Sequence, residues 1–266
     1  MSNVYIGTSG FSYPHWKGIF YPEDLPQKDW FKFYCQNFST VEINSSFYHL
    51  PKRETFEKWR REAGSNFVFS IKGWRWITHI KKLKNCQEEL KRFLGVLGGL
   101  GRLRKNIILW QLPPGLSFDR LRLKKFLEML SVYSPPRCEA SSPRRCARHA
   151  FEFRNESWLN PEVFDLLSQN NSAIVFQDFP EWPITEKITA GFVYLRFHGK
   201  TSLYSSCYTK KELEDWAKKI KKWIKQGLDV YTYFNNDAMG YAVENAKKLI
   251  SNVKTQISKP NLKSQI

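Results

Sequence analysis

Three pairs of polar residues, each pair flanking one apolar residue, carry the groups in this sequence that could do chemistry. The pairs are Glu42 and Asn44, Glu152 and Arg154, and Arg196 and His198. Because successive side chains of a β-strand point to opposite faces, both members of each pair are predicted to project to the same side of one strand. Carboxylates, guanidinium groups and an imidazole gathered on one side could transfer protons or bind an anion.

Eight strand-length apolar stretches, rich in β-branched and aromatic residues, contain or adjoin these pairs. They cover residues 4–9, 40–44, 67–72, 107–111, 150–154, 173–178, 192–198 and 230–235. Most are followed by a segment able to hold a helix, although the link after the sixth is interrupted by prolines. This pattern predicts an α/β fold, a single (β/α)8 TIM barrel over residues 1–254, followed by a basic and frayed tail at 255–266. The site is expected at the C-terminal ends of the strands, where such barrels do chemistry.

Polar residues near the other strand ends are expected at the same mouth. We predict acid/base or nucleophilic roles for one set, namely Glu42, Glu152, Asp178, His198 and Lys72. We predict ligand-binding roles for a second set, namely Asn44, Tyr48, His79, Gln111, Arg154, Arg196, Asn235 and Trp74. Since unpaired charges inside a barrel are costly, a self-neutralising ring of ion pairs without a ligand is the alternative interpretation.

The residue types suggest how these roles divide. Glu42 and Glu152 could form an acid/base pair, and His198 could transfer protons near neutrality. The two arginines have the forked donors that grip phosphate or carboxylate. Lys72 could be an electrostatic clamp or a Schiff-base nucleophile. The aromatic residues near the mouth could stack on a sugar or a base, and Trp74 and Trp76, in the loop after the third strand, are the preferred candidates.

The net charge of +17 admits a nucleic-acid partner, because phosphate attraction grows with the number of clustered lysines and arginines. Much of the excess lies in an amphipathic helix predicted over residues 209–225. Thr209 and Glu212 form its capping box and Gly227 ends it, so its lysines are expected on a solvated face. A second basic run at residues 143–149, which includes Arg144 and Arg145, is predicted to be irregular.

The sequence contains no stretch that resembles a membrane span or a signal peptide, so a cytoplasmic protein without a membrane partner is expected. Five cysteines are scattered and form no C-x-x-C pair, which argues against a disulfide framework or a zinc site. They are interpreted as incidental thiols, with a local disulfide between Cys138 and Cys146 as the alternative.

Motifs spread along the chain resemble, in order, the signatures of the YecE-like family. They are residues 7–13 with Trp16 and residues 20–22, residues 41–48 with Pro51, residues 69–72 with Thr78 and His79, residues 111–114, residues 151–154 with Ser157 and Trp158, residues 196–199, and residues 233–237 with Ala242, Asn245 and Ala246. The resemblance departs from the family pattern at residues 138–148. It implies a TIM-barrel fold and supplies no activity, because none is established for the family.

Related barrels of sugar isomerases and endonuclease IV-type phosphodiesterases suggest a divalent metal on Glu, Asp and His side chains as one alternative. Three permanent cations at the same strand ends disfavour a dication, so no metal or cofactor is expected. We favour an enzyme (a hydrolase, lyase or isomerase) that acts on a phosphorylated or sugar-containing anionic ligand by acid/base chemistry. A nucleic-acid-binding protein is the alternative from another functional class. Substrate, reaction and oligomeric state are not defined by the sequence.

Overall fold

The computed structural model describes residues 2–101, 106–134, 147–183 and 185–257. Its strands are β1 Val4–Thr8, β2 Thr40–Ile43, β3 Val68–Lys72, β4 Ile107–Gln111, β5 Arg148–Glu152, β6 Ala173–Asp178, β7 Phe192–Phe197 and β8 Asp229–Phe234. Its helices are α1 Trp30–Asn37, α2 Ser45–Tyr48, α3 Arg53–Ala63, α4 Gln87–Leu97, α5 Arg120–Tyr133, α6 Pro161–Gln169, α7 Lys210–Lys225 and α8 Tyr241–Ile257. The alternation of strands and helices is the one the sequence predicts.

All neighbouring strands pair in parallel, and the eight-stranded sheet curls until its two edge strands meet. β1 pairs with β8 in register, and a bridge between Ser9 and Glu42 joins the ends of β1 and β2. A Cβ atom on Gly7 would lie 2.3 Å from the Thr40 carbonyl oxygen, so this close approach of β1 and β2 requires glycine. The predicted TIM barrel is confirmed.

Strand residues alternate between the barrel interior and the helix layer. The interior cluster consists mainly of small, β-branched and aromatic side chains, namely Val68, Ile107, Leu109, Ala150, Ala173, Val175, Phe192, Tyr194, Tyr231 and Tyr233. The intervening residues pack against the helices in a second, larger core. Because both faces of the sheet are buried, the strands read as nearly continuous apolar runs, and only polar residues reveal which face points inward.

Local signals set several helix ends where the sequence predicts them. Thr209 caps α7 in a reciprocal capping box with Glu212, and Asn160 caps α6 ahead of Pro161. The last helix begins at Tyr241 and is preceded by a separate 3₁₀ turn at residues 238–240. Between β6 and β7, the described residues 179–183 and 185–191 contain no helix, as the prolines predict.

Two expectations about the fifth strand and its preceding link need correction. Arg148 and His149, predicted to be irregular, open β5, which begins two residues earlier than predicted. The rest of that basic run, with Arg144 and Arg145, lies outside the described residues, as do Cys138, Cys146 and tail residues 258–266.

Three other cysteines, Cys35, Cys86 and Cys207, are free thiols. Among the described residues, no helix combines the length and apolarity needed to cross a membrane.

Candidate active site

A cavity of about 790 Å³ opens at the carboxyl ends of the strands. We call it the mouth pocket, and its lining residues are Tyr13, His15, Ile19, Asn44, Tyr48, Lys72, Gln111, Arg154, Arg196, Tyr204, Asn235, Asp237, Ala238 and Met239. Seven of them are sequence-predicted site residues, namely Asn44, Tyr48, Lys72, Gln111, Arg154, Arg196 and Asn235. Its volume falls within the range of small-molecule sites, about 300 to 1,000 Å³.

Arg196 joins two carboxylates at the base of the mouth pocket. Its Nη2 donates to Glu42 Oε1 at 2.6 Å, and its Nη1 donates to Glu152 Oε2. All three side chains are essentially inaccessible to solvent. Because β2, β5 and β7 supply one residue each, this pairing connects distant parts of the barrel. We call Glu42, Glu152, Arg154, Arg196 and His198 together the buried ion network.

Glu42 has a donor on each of its oxygens. Tyr194, two residues before Arg196 on β7, donates its hydroxyl to Oε2 at 2.6 Å, and Ser9 donates to Oε1. Asn44 in turn donates to Ser9 Oγ at 2.9 Å. The Glu42 carboxylate is therefore fully engaged by fixed protein groups, which suits a structural counter-ion better than a proton-transferring group.

Arg154 connects Glu152 to His198. Its Nε donates to Glu152 Oε1 at 2.6 Å, and its Nη2 lies 3.1 Å from His198 Nε2. Burial raises the pKa of Glu152, but the charges of Arg154 and Arg196 outweigh burial and leave that pKa below its ordinary value. Burial, together with the charge of Arg196, holds the pKa of His198 well below its usual range. Glu152 is thus a permanent anion, and His198 is a neutral imidazole near physiological pH.

These positions bear on the predicted acid/base roles of Glu42, Glu152 and His198. All three belong to the strand-end cluster that the spacing of their pairs predicts, but their side chains are fully buried below the mouth pocket. One member of each predicted polar pair lines the mouth pocket instead, namely Asn44, Arg154 and Arg196. The network therefore presents its cations to the pocket and keeps its carboxylates behind them.

Lys72, the last residue of β3, lines the mouth pocket without a carboxylate partner. None of the described carboxylates lies within ion-pairing distance of its ammonium group, which packs over the Phe47 ring at 4.3 Å from the ring centroid. Burial, and then the charge of Arg196, lower the pKa of Lys72 to about 8. Its amine can therefore exist in both charge states near neutral pH.

Two carboxamides in the pocket wall have unpaired oxygens. Asn44 Oδ1 and Gln111 Oε1 are buried and have no hydrogen-bond partner among the described residues. Asn235 contacts the network through its side-chain nitrogen, which lies 3.1 Å from His198 Nδ1. Buried polar groups normally find partners, so these amide oxygens are suited to receive donors from a ligand.

His15 and Asp237 form a second charged group in the pocket wall, which sequence analysis missed. His15 Nε2 lies 2.9 Å from Asp237 Oδ2, and Trp16 donates its indole N–H to Oδ1 at 2.8 Å. Burial raises the pKa of Asp237 to about 6, although the bonds from Trp16 and His15 oppose this shift. The available signal was topological: the loops after β1 and β8 must be neighbours once a barrel closes.

Apolar and aromatic side chains border the mouth pocket. Tyr48, Tyr204 and Met239 are large exposed residues that also line it. Tyr204 and Met239 adopt positive φ angles of 63° and 58°, unusual for non-glycine residues, and the Ala238 amide donates to the Tyr204 carbonyl oxygen. Tyr13, a half-buried member of the wall, donates its hydroxyl to the Ser9 carbonyl oxygen at 2.6 Å.

Three sequence-predicted site residues lie away from the mouth pocket. Asp178 was expected at the mouth, but its carboxylate accepts the indole N–H of Trp216 in α7 at 3.2 Å, because the neighbouring Gln177 takes the inward face of β6. Trp74 is 9% exposed and packs beneath Arg92 of α4. His79 belongs to a π-helical turn, bonds to Thr78, and is shielded by Phe47.

The described residues contain no group of three or more His, Cys, Asp and Glu side chains arranged to hold a metal ion. In the buried ion network, guanidinium groups already occupy the carboxylate oxygens that a cation would need.

On α7, several lysines pair with acids one helical turn away, such as Lys210 with Glu214 and Lys218 with Asp215. The strong positive charge of this helix is therefore partly compensated along its own surface.

Known proteins resemble this chain over nearly its full length. The family model described as "Protein of unknown function DUF72" matches residues 5–265. The UPF0759 protein YunF of Bacillus subtilis is 23% identical over 283 residues, covering 93% of this chain and 93% of YunF. The UPF0759 protein YecE of Escherichia coli K12 is 32% identical over 93 residues, 34% of this chain and 31% of YecE. The sequence-based resemblance to a YecE-like family is thereby confirmed.

A solved structure gives the same result for the fold. A DUF72 family protein from Thermotoga maritima MSB8 superposes with a TM-score of 0.80 at 27% identity, covering 97% of this chain and 100% of the other. These similarities establish the architecture and the relationship. They assign no reaction, so the chemistry has to be argued from the mouth pocket.

Proposed function

We propose that this chain, which belongs to the DUF72 family of proteins of unknown function, is an enzyme that acts on a small anionic metabolite at the barrel mouth. The ligand class that suits the pocket is a phosphorylated or carboxylated compound with a sugar-like or planar body. The chemistry that suits it is proton transfer, assisted by electrostatic stabilisation of the anion. Nothing in this proposal requires a bound cofactor.

The observation that carries the proposal is an imbalance of charge at the mouth pocket. Lys72, Arg154 and Arg196 line it beside a single lining carboxylate, that of Asp237, whereas Glu42 and Glu152 are buried behind them. The two arginines pair with the two glutamates, and Lys72 has no carboxylate partner among the described residues, so the lining carries more cations than anions. In a partly desolvated cavity, such an excess attracts an anion far more strongly than the same charge on an open surface.

The remaining wall suits the non-anionic part of such a ligand. Unpaired oxygens of Asn44 and Gln111 can accept hydroxyl or amine donors. Tyr48 and Tyr204 offer exposed aromatic faces at the rim, of the kind that stack on sugars and planar rings. A polar floor with an aromatic rim is typical of sites that hold small polar metabolites.

The acid/base role passes, in this proposal, from Glu42 and Glu152 to Asp237 and His15. Glu42 is engaged on both oxygens by fixed donors and Glu152 is held as an anion, whereas Asp237 lines the pocket and has a pKa of about 6. A carboxyl group with a pKa of about 6 can give and take protons at physiological pH. His15 lies within ion-pairing distance and can orient that carboxyl group.

Calorimetric titration with inorganic phosphate at pH 7 and low salt tests the anion site. We expect Lys72→Met to weaken binding by at least about tenfold, equivalent to about 1.4 kcal/mol. Lys218→Met is the matched control, because Lys218 is exposed on α7 and paired with Asp215, and it should leave the affinity unchanged. Equal losses in both variants, or no phosphate binding by the native protein, would contradict the proposal.

Turnover requires a second experiment, a screen of phosphorylated sugars and small phosphoesters. A substrate found in this way should be turned over by the native protein and not by Asp237→Asn, which should bind phosphate at least as tightly as the native protein because it lacks a negative charge in the pocket wall. If Asp237→Asn kept full activity on that substrate, the acid/base role of Asp237 would be wrong, and the anion site would be unaffected by that result.

Nucleic acid is the competing partner suggested by the net charge of +17. Fluorescence anisotropy with a short DNA or RNA duplex separates the two possibilities. Binding to a phosphate backbone should weaken steeply between about 50 and about 200 mM salt, in contrast to binding within a small enclosed site. No retention of either duplex at the lower salt concentration would remove this alternative.

A further inference from the structure

Lys72 differs from the other described lysines in its surroundings. Surface lysines such as Lys91, Lys218 and Lys248 pair with a carboxylate, and this pairing raises their pKa values. Lys72 instead lies in the wall of a cavity, with an aromatic ring beneath its nitrogen and two arginines nearby. A lysine that only holds an anionic ligand electrostatically needs a protonated ammonium group, whereas the surroundings of Lys72 favour the neutral amine.

The nucleophilic form of a lysine is the free amine, which most lysines hardly populate at neutral pH. At Lys72, burial and Arg196 lower the pKa to about 8, so about a tenth of the amine is unprotonated at pH 7, far more than for an ordinary lysine. The nitrogen also borders the mouth pocket, where a ligand can reach it. Accessibility and the absence of a carboxylate partner therefore coincide in one side chain.

We infer that Lys72 is a nucleophilic amine that forms an imine with an aldehyde or ketone carrying an anionic group. The anionic group rests on the proposed function, because Arg154 and Arg196 would hold it beside the amine. The imine itself depends on Lys72 alone. The substrate class is thereby narrowed to anionic carbonyl compounds.

The step is balanced without an oxidant or a reductant. The Nζ lone pair attacks the carbonyl carbon, the carbonyl π electrons move to oxygen, and a proton passes from nitrogen to oxygen to give a carbinolamine. Protonation of that hydroxyl group lets it leave as water while the nitrogen lone pair forms the C=N bond. The anionic group of the ligand offsets the positive charge that the protonated imine would add beside the two arginines.

Reductive trapping tests this inference on the full chain. The protein is incubated with glycolaldehyde phosphate and sodium cyanoborohydride, which reduces the imine to a stable secondary amine, and labelled peptides are quantified by mass spectrometry. We expect Lys72 to be labelled at least about tenfold faster than Lys218 or Lys248, and inorganic phosphate to slow this labelling. Glycolaldehyde without the phosphate should label Lys72 with a smaller preference.

Lys72→Arg is the variant that separates the amine from the charge. It should lose the fast labelling and retain phosphate binding within about threefold, because arginine keeps the positive charge and cannot form the imine under these conditions. Labelling of the native protein decides the question even if this variant folds poorly, because each lysine is assigned from its own peptide.

The outcomes distinguish the inference from the proposed function. Phosphate binding with slow labelling of Lys72 would make Lys72 a clamp and overturn the imine. Fast labelling of Lys72 without any phosphate binding or protection would keep the amine reactive and overturn the anion site. Neither fast labelling nor phosphate binding would overturn both.

Discussion

The two ends of the barrel each hold an arginine against a carboxylate, with different results. At the amino end, Arg148 of β5 pairs with Asp229 of β8, with Nη1 lying 2.7 Å from Oδ2. The same guanidinium group donates to the Tyr231 hydroxyl and packs over the Phe192 ring. At the carboxyl end, Arg154 and Arg196 pair with two buried glutamates, and Lys72 lies in the wall of a cavity without a carboxylate partner among the described residues.

The difference is one of balance. Arg148 and Asp229 form a one-to-one ion pair, and the Arg148 guanidinium group also contacts a tyrosine hydroxyl group and two aromatic rings. Such an arrangement is expected where a charged pair stabilises the fold. The buried ion network sets two arginines against two glutamates, and Lys72 beside it adds a positive charge that lines the mouth pocket. Charged residues at the amino end of this barrel therefore close the structure, and those at the carboxyl end are, in the proposed function, also the site of an anionic ligand.

Removing the central arginine of the carboxyl end should have the largest effect on stability. Arg196→Met would leave Glu42 and Glu152 buried without their shared cation, which we expect to cost about 3–5 kcal/mol in the free energy of unfolding. Urea denaturation measures it. The control is Arg53→Met, which breaks an exposed ion pair with Glu57 within α3 and should cost less than about 1 kcal/mol. Equal losses in the two variants would refute the role of Arg196.

The corresponding change at the amino end should be milder and should leave the pocket unaffected. Arg148→Met removes an ion pair that is partly accessible to solvent, and we expect a loss of about 1.5 kcal/mol in urea denaturation. Phosphate affinity should stay at the native value. A weaker affinity in this variant would show that the two ends do not act separately.

The charge excess should depend on pH through Lys72. Because its pKa is about 8, Lys72 loses its positive charge as pH rises above that value, and anion binding should weaken severalfold between about pH 7 and about pH 9. Sulfate is the suitable probe in calorimetry, since its own charge stays constant over this range. Lys72→Arg should flatten the profile. The same decline in both proteins would place the titrating group elsewhere.

The smallest expected effect is a shift in the titration of Asp237. NMR of its side-chain carboxyl carbon should give a midpoint near pH 6, with Asp237→Asn used for assignment. Since His15 lowers this pKa, His15→Gln should raise the midpoint slightly further. A native midpoint near pH 4 would mean that Asp237 is no better an acid/base group than an ordinary surface carboxylate.

Much of the carboxyl end is predictable from the sequence because alternation along a strand is a strict rule. The polar pairs around Ile43, Phe153 and Phe197 share a face as predicted. Tyr194 obeys the same rule, two residues before Arg196, and could have been found by it. Alternation gives the face of a side chain, however, and not its depth, which is why Glu42 was expected to reach a ligand directly.

The errors have equally physical causes. β6 is buried on both faces, so its apolar residues do not show whether the odd-numbered or the even-numbered side chains point into the barrel. Asp178 was therefore assigned to the barrel interior, whereas its side chain faces α7. His15 and Asp237 are 222 residues apart along the chain, and Trp16, the other partner of Asp237, is 221 residues from it. No local pattern connects them, because their proximity exists only once β1 and β8 have paired.

Arg196 also has a consequence for how the chain folds. It lies 44 residues after Glu152 and 154 residues after Glu42, so its ion pair with Glu42 joins β7 in the second half of the barrel to β2 in the first half. A half-barrel built from β1 to β4 would carry Glu42 without its cation, at an energetic cost that disfavours its accumulation. Long-range closure of this kind is entropically slow. We therefore expect charge compensation to favour folding of the eight strands as one cooperative unit, because the pair between Glu42 and Arg196 forms only when the second half of the barrel docks.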